Sequence, residues 1–219
     1  MRAGGRAQFP RPRGTSTEME IEASLVKTLR EKTGVGIMEC KSALREASGN
    51  LDEAVKILRK KGLSSAARRV GRTASEGMVG SYIHAGGRIG VLIEVNCETD
   101  FVARTTEFQN LVKDLAMQIA ATQPRFVSRE EVTPEVLAQE REVYRAQAQS
   151  SGKPAPVAEK IVDGKMEKFY AEACLYEQPF VRDPNLTVQE LISGVVARVG
   201  ENIRVRRFTR FGVGETPAS

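Results

Sequence analysis

The chain of 219 residues has no tryptophan, one histidine and three cysteines, and aromatic residues make up only 5% of it. So few rings leave little from which to build the stacking platform of a single-stranded nucleic-acid binder. Cys40, Cys97 and Cys174 are odd in number, widely spaced and outside any CxxC pattern. That excludes a disulfide framework or a zinc site and predicts free thiols in a reducing compartment, the cytoplasm. With His84 as the single imidazole and Cys97 near two acids, the enzyme hypothesis to test is a thiol–imidazole pair of His84 and Cys97. No apolar run approaches the roughly 20 residues of a membrane-spanning helix, so no membrane partner is expected. Only one Gly-hairpin-plus-helix unit is found, with no second copy at a fixed period.

The residues that are present describe a globular protein. Hydrophobic residues at 41% and charged residues at 28% sit near globular averages, and the length suffices for one domain with a small satellite. The net charge of +5 is concentrated at the two ends, in Arg2, Arg6, Arg11 and Arg13 and again in Arg204, Arg206, Arg207 and Arg210. Such a balance does not by itself identify a nucleic-acid partner. Residues 1–17, rich in Gly, Pro and Arg, lack a periodic face and the apolar stretch of a secretory signal, which predicts a disordered N-terminal extension. Met19 is an alternative initiator, and targeting to an organelle stays open, although Pro10 and Pro12 oppose an amphipathic helix.

From residue 18 to 62 the periodicity predicts three short helices. Ile21, Leu25 and Leu29 recur every four residues before Gly34, which closes the first helix as a C-cap. Ile37, Cys40, Leu44 and Ala47 form the stripe of a second, ended by Gly49. Asn50 caps a third, with Glu53 as its reciprocal partner and Val55 and Leu58 facing inward. Met38, beside the stripe, is core filler or an exposed docking residue. Residues 63–76, with Arg68, Arg69 and Arg72 and several alanines, read as a basic connector, helical over Leu63 to Thr73.

The core is expected over residues 77–214, with a tail at 215–219. Gly86-Gly87 marks a two-residue hairpin turn that places His84 opposite Ile89. Met78, Tyr82, His84, Ile89, Val91, Ile93, Val95 and Cys97 then share one face. Eight residues of strand separate His84 from Cys97, roughly 27 Å at about 3.4 Å per residue, too far for proton transfer. Cys97 is then a buried small apolar residue and His84 an exposed hairpin-end residue open to a partner.

At Thr99-Asp100-Phe101-Val102 the strand pattern stops. Thr105 opens a helix with a stripe of Phe108, Leu111, Val112, Leu115, Ile119 and Ala120, which Phe101 is not needed to continue. A large aromatic at a surface corner is either core or a probe of another molecule. Further on come two helical patterns, Glu130 to Ser150 and Ala158 to Tyr176, around a break at Ser151 to Pro154, with Pro179 stopping the second. A short helix over Val188–Val199 and a final strand over Ile203–Phe211, with Arg204, Arg206 and Arg210 on one face, complete the chain.

Two segments, Lys32-Thr33-Gly34-Val35-Gly36-Ile37-Met38-Glu39-Cys40-Lys41-Ser42-Ala43-Leu44 and Glu94-Val95-Asn96-Cys97-Glu98-Thr99-Asp100-Phe101-Val102, resemble the two signatures of the elongation factor Ts family. Gln178-Pro179-Phe180-Val181 and Gly200-Glu201-Asn202-Ile203 also resemble it, so the similarity spans about Glu18 to Gly214. The resemblance implies an α+β fold: an N-terminal three-helix, ubiquitin-associated-like module, then a core with a small antiparallel sheet packed on helices and a helical hairpin. It implies a guanine-nucleotide exchange factor that binds elongation factor Tu in its GDP-bound and nucleotide-free forms. Leu29, Ile37, Met38 and His84 would dock on that partner. Thr99, Asp100, Phe101 and Val102 would disturb its magnesium and phosphate site. No catalytic residue, metal, cofactor or direct nucleic-acid contact is needed. Only one core half is present where longer relatives have two, which implies a homodimer, non-covalent at the final strand, where Thr209 lies mid-strand and no cysteine occurs. The competing reading is a basic RNA-binding module of the translation apparatus.

Overall fold

The computed structural model describes residues 21–150 and 154–215. The extension expected over 1–17, the Ser151–Lys153 part of the break and residues 216–219 of the tail lie outside the described residues. The elements run α1 Ala23–Thr33, α2 Ile37–Glu46, α3 Leu51–Ala67, β1 Glu76–Ile83, β2 Ile89–Cys97, α4 Asp100–Ala103 and α5 Thr106–Thr122. They continue with α6 Pro134–Gln149, α7 Ala155–Ala173, β3 Pro179–Phe180, β4 Asp183–Thr187, α8 Val188–Val199 and β5 Ile203–Gly212. The architecture is α+β, with N-terminal helices followed by a three-stranded antiparallel sheet packed on helices, as expected. The chain divides into two compact units between Leu58 and Arg59, inside α3.

The first unit is built on its helix stops. Gly34 takes the left-handed conformation (φ 67°) that an L side chain resists, and its N–H closes α1 on the Arg30 carbonyl at 2.8 Å. Asn50 Oδ1 accepts from the Glu53 N–H at 3.0 Å and so caps α3. The reciprocal half of the expected capping box is replaced: the Asn50 N–H donates to the Ala47 carbonyl, and Glu53 pairs with Lys56. Val26, Leu29, Cys40, Ala43, Leu44, Ala54 and Leu58 form the buried centre.

In the second unit the sheet order is β1-β2-β5. The hairpin keeps the register expected, with His84 N–H donating to Ile89 O at 2.9 Å, but its loop runs over the four residues 85–88 rather than a two-residue turn: the Gly87 N–H donates to the His84 carbonyl at 2.9 Å, and Gly86 and Gly87 both have positive φ. Val91, Ile93, Val95 and Cys97 face the core, where α5 covers them with Phe108, Leu111, Val112, Leu115 and Ile119. Each such side chain contributes about 1.5–3 kcal/mol on burial. A Cβ at Gly80 would collide with Val112 Cγ1, so the glycine lets α5 approach β1 closely.

Strand β5 departs from its expected pattern. Val95 pairs with Val205 but Glu94 with Arg207, so Arg206 is an extra residue in a bulge. Before the bulge Ile203 and Val205 face the core, and beyond it Phe208 and Arg210 do. Arg204 and Arg210 therefore lie on opposite faces, because one inserted residue inverts a period of two. Arg210 reaches the Ala120 carbonyl at 3.3 Å and pairs with Glu215.

The α6–α7 hairpin has its own core of Val132, Val162, Met166 and Phe169. Charges on its rim pair across it, Arg145 with Glu159 at 2.9 Å and Arg141 with Asp163 at 3.3 Å. Helix α7 ends at Ala173, short of the expected stop at Pro179, because Cys174 turns extended to bridge Phe126 and the Leu175 N–H donates to Phe126 O. The β3–β4 hairpin has no counterpart in the sequence reading. Buried Gln118 holds it: its Oε1 accepts from the Val181 N–H at 2.8 Å and its Nε2 donates to the Pro179 carbonyl at 3.1 Å.

Candidate functional site

The corner between β2 and α5 is turned by Thr99, whose extended backbone precedes the four residues of α4 and whose hydroxyl accepts from the Val102 N–H at 3.3 Å. The cap points successive side chains apart. Val102 enters the core between the sheet and α5. Phe101 stays 78% exposed, the most exposed large hydrophobic side chain among the described residues. Asp100, also exposed, pairs at 2.6 Å with Arg104, the residue that follows the same short helix. The structure thus brings Thr99, Asp100, Phe101 and Val102 together with a division of labour: Thr99 turns the chain, Val102 anchors it, and Asp100 and Phe101 face outward.

The structure keeps Cys97 and His84 apart, so they form no thiol–imidazole pair at the corner. Cys97, directly before it, is buried and donates its S–H to the Thr99 carbonyl at 3.1 Å. Burial, and then the negative charge of Glu201, push its thiol up to about 11, which keeps it protonated and unreactive near neutrality. His84 is at the far end of β2's hairpin, where its Nδ1 lies 3.0 Å from the Tyr82 hydroxyl. Cys97 pairs with Glu76 at the opposite end of β1. Among the described residues no group of three or more His, Cys, Asp or Glu side chains could hold a metal ion. No helix of the described residues is long and apolar enough to cross a membrane.

In the first unit, Gly36 leads the chain into α2, so that Ile37 and Met38 fall on its first turn, 54% and 76% exposed. Ile37 also lines a groove of about 380 Å³ with Ile21 and Val26, rimmed by Lys27, Arg30 and Lys41. Leu29, expected on the same docking surface, has no exposed area. It belongs to the α1–α2–α3 core, because the stripe that makes α1 amphipathic turns it inward. The neighbours of the corner and the outer face of the sheet were not legible as functional features. Val79, Ile83, Leu92 and Phe211 are all exposed there, with Arg207 and Glu94 paired at 2.8 Å among them. The available signal was that β1 and β2 carry apolar residues at both parities, which a sheet covered on one side does not require.

Residues 17–215 match the family described as Elongation factor TS. The chain is 60% identical over 195 residues to Elongation factor Ts of Moorella thermoacetica, covering 89% of this chain and 96% of that one. It is 56% identical over 195 residues to Elongation factor Ts of Carboxydothermus hydrogenoformans, covering 89% and 90%. With Elongation factor Ts of Koribacter versatilis it shares 58% over 197 residues, 90% of each.

Proposed function

Since this chain belongs to the elongation factor Ts family and is a translation elongation factor, we propose that it binds elongation factor Tu·GDP and drives exchange of GDP for GTP. The observation that carries this reading is Phe101, an aromatic side chain left exposed beside Asp100 on a corner that Thr99 caps and Val102 anchors in the core. An exposed ring gains nothing from water, and an interface is where it gains.

In this proposal Phe101 and Asp100 enter the partner beside its nucleotide site and shift the groups that hold magnesium and phosphate. Magnesium demands near-ideal octahedral geometry, so a small displacement of its supports weakens it strongly. GDP leaves because its affinity falls, and linkage requires bound nucleotide to weaken the factor's own binding by the same ratio. No acid, base, metal or cofactor of the factor's own takes part, and net loading follows the more concentrated nucleotide. Ile37 and Met38 form the docking patch, and His84 is exposed at the hairpin tip for a second contact. The setting is the cytoplasm, with no direct nucleic-acid contact. The basic residues of β5 are divided between its two faces by the bulge and so form no single stripe for RNA.

We also propose a non-covalent homodimer, supported by the exposed apolar outer face of the sheet at Val79, Ile83, Leu92 and Phe211. Light scattering that finds a fully active monomer at nanomolar concentration would overturn it.

The test of the exchange reading is release of fluorescent GDP from elongation factor Tu by the wild-type chain, Phe101→Ala and Asp100→Ala. Slower release by the variants is expected. Unchanged release by both, with folding intact, would remove the corner's role.

A further inference from the structure

Strands β2 and β5 end as a backbone ladder at the pair Cys97 and Ile203, yet the two segments stay joined beyond it. Continuing the antiparallel register sets Glu98 opposite Asn202 and Thr99 opposite Glu201. Here side-chain carboxylates take the place of backbone carbonyls. Glu98 Oε1 accepts from the Asn202 N–H at 2.6 Å, and Glu201 Oε2 accepts from the Thr99 N–H at 3.0 Å. The second oxygen of Glu201 accepts from the Thr99 hydroxyl at 2.7 Å. Asn202 is itself buried and tied by its Nδ2 to the carbonyls of Val70 and Arg72.

A threonine hydroxyl has one proton and two lone pairs. With the proton committed to Glu201, the lone pairs are left to receive the Val102 N–H, and donation to an anion strengthens the hydroxyl as an acceptor. The Thr99 carbonyl is engaged as well, by the Cys97 thiol at 3.1 Å and the Ala103 N–H at 3.3 Å. Every polar group of Thr99 is therefore fixed. That matters because α4 has only four residues and cannot sustain a helical turn unaided. Glu201 is delivered to this position by the end of α8, where Gly200 adopts φ 80°, a left-handed conformation that glycine reaches without strain.

We propose that Glu201 is a positioning residue for nucleotide exchange: acting through Thr99, its carboxylate holds the first turn of α4 so that Phe101 stands in one orientation before the partner arrives. A probe already ordered loses less conformational entropy at encounter than one that must be ordered there. The proposal rests on the reading of Phe101 as the element that enters the partner.

Glu201→Gln keeps the shape and removes the charge. It is expected to speed amide hydrogen exchange at Val102 and slow GDP release from elongation factor Tu, each by about tenfold, as for loss of one charge-assisted hydrogen bond. Thr99→Val, which leaves Glu201 in place, should loosen Val102 in the same way, and Thr99→Ser should restore most of the protection. Added to Phe101→Ala, Glu201→Gln should slow release by less than it does alone. Unchanged Val102 exchange in Glu201→Gln overturns the proposal, as does full additivity with Phe101→Ala. If Phe101→Ala alone releases GDP at the wild-type rate, the reading of the probe falls instead, and the clasp is then decided by Val102 exchange alone.

Discussion

Phe101 and Val102 are consecutive in the chain and lie on opposite sides of the surface: Phe101 is 78% exposed while Val102 is packed into the core beneath the sheet. The Thr99 cap produces the division, because it starts α4 with Val102 as the residue whose N–H it holds. Shortening the two side chains should therefore have opposite consequences. Phe101→Ala is expected to slow GDP release from elongation factor Tu while changing stability by less than about 0.5 kcal/mol. Val102→Ala is expected to cost about 2 kcal/mol of stability through the cavity it leaves. Urea unfolding beside the release assay separates the two, and equal stability losses would contradict the division.

A similar contrast is expected in the helical unit. Met38→Glu should weaken binding to elongation factor Tu roughly tenfold with the melting temperature unchanged, as for a central interface residue. Leu29→Ala should lower stability by about 3 kcal/mol, because it empties a fully buried site. Calorimetric titration and thermal melts of the two variants distinguish a docking residue from a core residue.

The bulge at Arg206 assigns different energies to two arginines of one strand. Arg210 is enclosed and hydrogen-bonded to the Ala120 carbonyl, so Arg210→Ala should cost about 1–2 kcal/mol. Arg207 pairs with Glu94 at the surface, and Arg207→Ala should cost less than about 0.5 kcal/mol. Chemical denaturation of both variants provides the comparison, and a larger loss at Arg207 would place the wrong side chain inside.

The buried thiols predict an alkaline limit to stability. Burial first, and then nearby carboxylates, raise Cys97 and Cys174 from the ordinary 9.0 to about 11. A thiol whose folded value lies above its unfolded value contributes stability that is fully present below pH 9 and is lost as the pH rises toward 11. The urea midpoint should fall between pH 8 and pH 10, and the fall should be shallower in a Cys97→Ala, Cys174→Ala double variant. Iodoacetamide at pH 8 should label these residues only as the chain unfolds; rapid labelling of the folded chain would contradict their burial.

Much of the fold follows from local chemistry. Gly34 closes α1, Asn50 caps α3, Gly86-Gly87 turns the hairpin and Thr105 opens α5, each because few residue types satisfy the backbone demand at that point. The period-two pattern was sufficient to separate His84 from Cys97. The end of α7 at Ala173 and the β3–β4 hairpin were not legible, because each depends on partners distant in sequence, Phe126 for Cys174 and Gln118 for Val181.

By itself the sequence determined which residues stand at the corner and that Phe101 is unnecessary to the helix behind it. It left open whether that ring is core or surface. Only the tertiary structure decided this, because the outcome depends on Val102 filling the core and on the Thr99 cap that turns Phe101 outward. The structure also decided that Leu29 is inside, that Arg210 leaves the face of Arg204, and that Glu201 reaches across from β5's approach to hold Thr99. The physical reason is common to all three: a side chain's face is set by the register and packing of segments far apart in the chain, and one bulged residue or one buried neighbour reverses it.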